Sequence, residues 1–227
     1  MKITEGRYNA LDKKGSELVL EKIHKSAHNG FVAGIILCVL FGPISLFGIF
    51  MTVRDGFQEY SIMFIIFALI LGVGILLIVL KRKTMKDPMR SSVIKNNPHI
   101  FEMADELIEN KVYQDQFLIL SPRIIANSND ITQISYTDEV FLVYVYIHRT
   151  NGAMDTKQLK LETAHSMLSF NIIRKKDEEI NVLMNNVLSH CRYARAGYTK
   201  ESLAYLNQMR EIWKKDQEFK NNLSNNK

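Results

Sequence analysis

FVAGIILCVLFGPISLFGIFMTVRDGFQEYSIMFIIFALILGVGILLIVL, residues 31–80, is the stretch on which every other reading of this chain depends. From Phe31 to Val53 the one ionisable group is the thiol of Cys38, and Ser61 to Leu80 is a second uncharged run. At 1.5 Å of rise per residue the first run makes a helix of about 34 Å, enough to cross a hydrocarbon layer of roughly 30 Å. Both runs are predicted to be transmembrane helices. RDGFQEY between them is too short for anything but a tight hairpin turn, which sets Phe57 and Tyr60 at the depth of an aromatic belt.

Within the first run and just before it, Gly30, Gly34, Cys38 and Gly42 stand four apart and share one helix face, with Ala68 and Gly72 as counterparts in the second. Small residues let backbones approach closely. The partner of such a face is the other arm of the hairpin or the same face of a second copy, which would make a homo-oligomer. Gly42-Pro43 is expected to bend the first helix, because a proline cannot donate to the preceding turn. Neither run carries Asp, Glu, Lys, Arg or His, the groups that mark ion pathways and proton relays, so the hairpin reads as an anchor or sensor and not as a transporter.

The apolar run stops abruptly at Leu80. In the next ten residues, KRKTMKDPMR, Lys81, Arg82, Lys83, Lys86 and Arg90 face a single Asp. The segment before Phe31 carries Lys2, Arg7, Lys13, Lys14, Lys22 and Lys25, whereas the connecting turn has only Arg54. This asymmetry predicts a two-span protein of the cell membrane with both termini cytoplasmic, its basic cluster drawn to anionic lipid headgroups by about 1 kcal/mol per residue. The net charge of +5 and pI near 9.1 do not point to nucleic acid, because from Ser91 to Lys227 there are 17 Lys and Arg against 17 Asp and Glu. Two cysteines, one in an apolar run, make no disulfide framework, which suits a reducing compartment. The long mixed-charge stretch before Phe31 also argues against a signal peptide.

Beyond the basic linker, 81–97, the pattern becomes that of a water-soluble α+β domain. Asn97 and Pro98 give a helix-start signal, followed by Phe101, Ala104, Leu107 and Ile108 on one face. From Val112 the chain reads as six or seven largely antiparallel strands: VYQDQFLIL, RIIAN, ITQISY, VFLVYVYIHRT, KQLKLET and MLSFNII. Ser121-Pro122, NSND, TDE and Asn151-Gly152 separate them as turns. Leu159 and Leu161 alternate with Gln158, Lys160 and Glu162, as in a strand with one wet face. In DEEINVLMNNVLSHC three acids precede Ile180, Leu183, Met184, Val187, Leu188 and Cys191 at helical spacing. A last helix starts near Thr199, with Leu203, Leu206, Met209, Ile212 and Trp213 as its apolar face.

A membrane hairpin, a basic junction, a run of strands with a NDITQI turn and a KKDEEINVLMNNVL helix after them resembles the bacterial membrane proteins with a pleckstrin-homology-like domain. The resemblance spans roughly residues 31–191 and is one of architecture, with the helix from Thr199 outside it. It implies an antiparallel β-roll over 98–191 closed by its helix, and a non-enzymatic cytoplasmic module without cofactor. Relatives that bind phosphoinositides carry several basic residues at the first strand turn, where ILSPRII offers only Arg123.

No GxSxG, P-loop, HExxH or GxGxxG occurs. His190 and Cys191 are adjacent but diverge by about 100° on a helix, which does not preorganise a nucleophile pair. His24 and His28 stand four apart without a third ligand, and His148 and His165 have no companion at metal spacing. Arg174, Lys175 and Lys176 read as a solvated turn. The expected activity is therefore docking of a protein partner, or sensing of the inner leaflet, with Arg192, Tyr193, Arg195 and Tyr198 in the 192–227 segment as the first candidate surface. The alternative is a small membrane immunity or stress protein whose hairpin recognises a membrane-active toxin or a damaged bilayer.

Overall fold

A computed structural model describes residues 14–56, 61–150 and 153–225, in two compact units: residues 17–99, and the remainder. The turn with Phe57 and Tyr60, the Asn151-Gly152 pair, and Lys2, Arg7 and Lys13 lie outside the described residues.

The first unit is built on two helices, α1 (Gly15–Asp55) and α2 (Ser61–Lys86), each long and apolar enough to cross a membrane. Ile36, Leu40, Leu46, Phe50, Ile65, Leu69 and Leu76 are all exposed along their length, a surface that water tolerates poorly and lipid does not penalise. The helix α1 begins 16 residues before Phe31, where the sequence reading had placed a flanking segment. The cause is local: Val19, Ile23 and Ala27 recur every four residues and are buried, and no helix breaker stands among them. Pro43 lies inside α1 and does not end it. α2 runs on through the basic cluster, so Lys81, Arg82, Lys83 and Lys86 form its final turns, where cations complement the helix dipole. After it come a single 3₁₀ turn, Pro88–Arg90, and the short α3 (Ser92–Asn96), whose first turn is capped by the Ser91 hydroxyl accepting from the Ile94 amide at 3.3 Å. The expected linker is thus largely helical.

The second unit is α+β. α4 (Ile100–Glu109) starts two residues later than Pro98 and buries Ile100, Met103, Ala104 and Leu107. Strands β1 (Tyr113–Gln114), β2 (Leu118–Leu120), β3 (Ile124–Asn127) and β4 (Asp130–Tyr136) form one antiparallel sheet in that order. α4 packs on β3 and β4. The β3–β4 turn is tight because the Asn127 carboxamide oxygen accepts from the Asn129 amide at 2.8 Å.

The second sheet has the order β7 (Met167–Asn171), β6 (Ala153–Thr163), β5 (Val140–Thr150), β8 (Arg195–Ala196). β5, β6 and β7 are antiparallel, and β8 runs parallel to β5 at Leu142 and Val143 alone. A bulge between Val140 and Leu142 leaves Phe141 unpaired and shifts the strand by one residue. As a result Val140, Val143 and Val145 point into the core between the sheets, while Phe141, Leu142 and Tyr144 point out of the opposite face.

The main core joins Leu118, Leu120 and Ile125 of the first sheet to Val143, Leu159, Leu161, Leu168 and Phe170 of the second. α5 (Asp177–His190) adds Ile180, Leu183 and Val187. Its N-terminus is fixed by the Glu179 carboxylate accepting from the Lys176 amide at 2.9 Å. α6 (Lys200–Asn225) covers the opposite face of the second sheet with Leu203, Leu206, Met209 and Trp213. Thr199 caps it reciprocally with Ser202: the Ser202 amide donates to the Thr199 hydroxyl at 3.1 Å and the Thr199 amide donates to the Ser202 hydroxyl at 2.8 Å. The face of β6 expected to be wet is in part beneath α6. Glu162 pairs with the Arg210 guanidinium at 3.0 Å, and Arg210 Nε donates to the Thr163 carbonyl at 2.9 Å. Arg210→Ala should loosen α6 by about 1–3 kcal/mol, read as a red shift of the Trp213 emission. Unchanged emission and stability would mean that the apolar contacts alone hold the helix.

Candidate docking surface

Where α5 ends and α6 begins, the chain must cross from one face of the second sheet to the other. It does so through β8 and Gly197, which has φ +93° and donates its amide to the Val143 carbonyl at 2.9 Å. A glycine suits this left-handed position. The four residues singled out in this link are exposed and partly held by aromatic contacts. Arg192 lies 4.4 Å from the centre of the Tyr193 ring and donates to its hydroxyl, Arg195 lies 3.7 Å from the centre of the Tyr205 ring, and the Tyr198 and Tyr144 rings are 4.6 Å apart. Tyr205 donates to the Tyr193 carbonyl at 2.7 Å. The link is therefore a structured cationic and aromatic surface.

Arg192 and Tyr193 also line a groove of about 730 Å³, with the β2–β3 turn and the Thr137–Glu139 turn on one wall and α6 on the other. Among the aromatic residues that line it is Trp213, the chain's single tryptophan, half-buried with the His165 ring 4.5 Å away. His165 Nε2 in turn lies 3.4 Å from Glu139 Oε2, an ion pair when the imidazole is protonated. Charges of both signs line the groove: Arg123, Arg192 and Lys220 against Asp138, Glu139 and Asp216. Lys220 is paired with Asp216 at 2.6 Å and Arg123 with Glu106 at 3.5 Å. The sequence reading missed this constellation. His165 looks solitary in sequence, and Glu139 meets it because they stand at the base of the β5–β6 hairpin, where the Ala164 amide donates to the Glu139 carbonyl at 3.0 Å.

His190 and Cys191 do not form a reactive pair. His190 Nδ1 lies 2.8 Å from the Asn186 carbonyl, whereas Cys191 is 1% exposed and belongs to the core. Burial first, then the nearby Asp138 charge, pushes the Cys191 thiol up from 9.0 to about 12. Because the folded pKa is raised, the protonated thiol favours the folded state up to the unfolded value, and that contribution is lost as pH rises from about 9 to about 12. At pH 8, Cys191 in a Cys38→Ser background should resist N-ethylmaleimide until denaturant is added; rapid labelling of the native protein would contradict the burial. Among the described residues no three His, Cys, Asp or Glu side chains converge as a metal site, His24 and His28 included.

In the hairpin unit the small residues sort differently from their spacing. A Cβ on Gly34 would lie 2.8 Å from the Gly74 carbonyl oxygen and 2.9 Å from Ile78, and one on Gly74 would lie 3.1 Å from the sulfur of Cys38. Gly30 is filled by the aliphatic stem of Lys81, 2.9 Å from where its Cβ would stand, which brings a packing residue and a basic-cluster residue together. Gly42 approaches only Leu71, at 4.0 Å. Ala68 and Gly72 are exposed, and a Cβ on Gly72 would meet nothing within 4 Å. The close approach of α2 is made by Gly74 and Phe64, the latter against Gly48. Arg82, Lys83, Lys86 and Arg90 are exposed, Arg90 paired with Asp87 at 2.9 Å.

Compared with family models, curated proteins and solved structures, the chain matches none.

Proposed function

We propose that this protein is a non-enzymatic, membrane-anchored interaction module: two spanning helices hold a pleckstrin-homology-like domain at the cytoplasmic face, where it docks a protein partner. The anchoring is supported by an uncharged run of spanning length within each of the two helices and by the basic end of the second, since Lys81, Arg82, Lys83 and Lys86 suit an anionic inner leaflet. The domain reading is supported by an antiparallel four-strand sheet, three further antiparallel strands and a helix, in that chain order. The single observation that carries docking is the ordered cationic and aromatic link beside the groove, with Tyr193 and Tyr198 exposed.

Two experiments test it. Cysteines introduced singly at Gln58, Ser92 and Asn225 should be labelled by an impermeant thiol reagent on intact cells only at Gln58; labelling at Asn225 would reverse the topology. A photocrosslinker at Tyr193 or Tyr198 should yield discrete protein adducts that Arg192→Glu with Arg195→Glu abolishes, whereas adducts with lipid alone would count against a protein partner. If the hairpin is instead the recognition element, removal of residues 92–227 leaves the cellular phenotype intact.

A further inference from the structure

The second sheet has two edges, and the fold treats them differently. On the β7 side the backbone of Ser169 is satisfied by side chains of the other sheet: its carbonyl accepts from the Asn127 carboxamide at 2.9 Å and its amide donates to the Gln133 carboxamide at 3.2 Å. These two carboxamides stand in for a neighbouring strand at the middle of β7 and block pairing there. On the other side β8 shields β5 only at Leu142 and Val143, after which Gly197 turns the chain away.

β5 runs on for seven residues past Val143, to Thr150. The Val143 carbonyl points to the β8 side, so strand alternation directs the amide and carbonyl groups of Val145, Ile147 and Arg149 to that side as well. Among the described residues nothing pairs with them there. Tyr146 and Ile147 are 39% and 44% exposed, and the run from Tyr146 to Thr150 is exposed throughout. The side chains near this edge are cationic. Arg149 lies on β5, Lys160 sits 4.1 Å from the centre of the Tyr146 ring, and Arg195 lies on β8. Glu162, on β6, is already engaged by Arg210 and accepts from the Tyr144 hydroxyl at 3.1 Å.

The geometry points to a strand-addition site: the open edge of β5, from Val145 to Arg149, pairs with an extended acidic segment of a partner protein, laid down in line with β8. Backbone pairing along the edge supplies affinity, and the surrounding Arg149, Lys160 and Arg195 select glutamate or aspartate over lysine on the incoming strand. The same excess of positive charge disfavours pairing of two β5 edges from two copies. This inference deepens the docking reading and rests on it, by naming the element and the chemistry of the partner.

The test uses the full chain in lipid nanodiscs with two synthetic heptapeptides, acetyl-Glu-Val-Glu-Ile-Glu-Val-Glu-amide and its lysine counterpart. Hydrogen exchange should slow within residues 144–150 on addition of the glutamate peptide, with binding about tenfold tighter than for the lysine peptide at low salt. Ile147→Pro removes the central edge amide without removing a β6 pairing; it should weaken binding about tenfold with melting unchanged. Arg149→Glu, which leaves the backbone intact, should invert the preference between peptides. Equal response to both peptides, no protection by either, or insensitivity to both substitutions overturns the proposal. Concentration-dependent protection of 144–150 without peptide assigns the edge to self-association and overturns it too. Failure here together with discrete Tyr193 adducts leaves the docking reading standing, whereas loss of the adducts as well removes both.

Discussion

Gly34→Leu separates the two arms of the hairpin. A single Cβ at this position already lies 2.8 Å from the Gly74 carbonyl oxygen, a backbone atom that cannot rotate away, so a leucine must drive α1 and α2 apart. Overpacking at a tight contact costs about 1–3 kcal/mol even when neighbours can give, and here a backbone stands in the way. The readout is crosslinking: with both native cysteines replaced by serine, cysteines at Phe41 and Phe67, whose rings are 5.7 Å apart, are bridged by a short bismaleimide in membranes. Gly34→Leu should reduce the bridged product to background, and Gly72→Leu, placed where nothing lies within 4 Å, should leave it unchanged. Equal behaviour of the two variants would refute the packing face described for α2.

Phe170→Ala carries the second large effect. Phe170 is 1% exposed and belongs to the core formed with Leu118, Leu159 and the inner residues of α5. Truncating such a ring costs about 3–5 kcal/mol, against a total stability of about 5–15 kcal/mol for an ordinary domain. In the Cys38→Ser background, the urea concentration at which Cys191 becomes reactive reports the same core. It should fall sharply for Phe170→Ala and only slightly for Tyr146→Ala, since Tyr146 is an exposed residue of β5. A midpoint for Phe170→Ala close to that of the parent would show that this core is not what sets the stability of the domain.

How far the sequence led depended on the kind of signal each element carries. The hairpin, α5 and the succession of strands were legible, because uncharged runs and helical or alternating periodicities are local properties. α1 was cut short at Phe31 because hydropathy marks where a helix is greasy, whereas Val19, Ile23 and Ala27 continue it on a narrower stripe. Gly74 was passed over in favour of Gly72 because spacing along α1 says nothing about the rotation of α2. β8 escaped notice because two residues have no period, and its pairing with Leu142 and Val143 is non-local. The alternation in β6 was read correctly, but the conclusion that its outer face is wet failed at Glu162, because only the bulge at Phe141 reveals how much apolar surface α6 must cover. The link residues were legible as a cluster; the Trp213, His165 and Glu139 arrangement was not, since hairpin register brings it together.

Placing α5 and α6 on opposite sides of one sheet has a consequence during synthesis. The inner core of the β-rich unit is complete once α5 has emerged, but Phe141, Leu142 and Tyr144 stay bare until α6 has followed it. A chain interrupted before Thr199 bears a fresh aromatic and aliphatic patch, the kind of surface that chaperones and proteases engage. α6 is thus the cover that separates a sealed β-rich unit from one with a bare outer face.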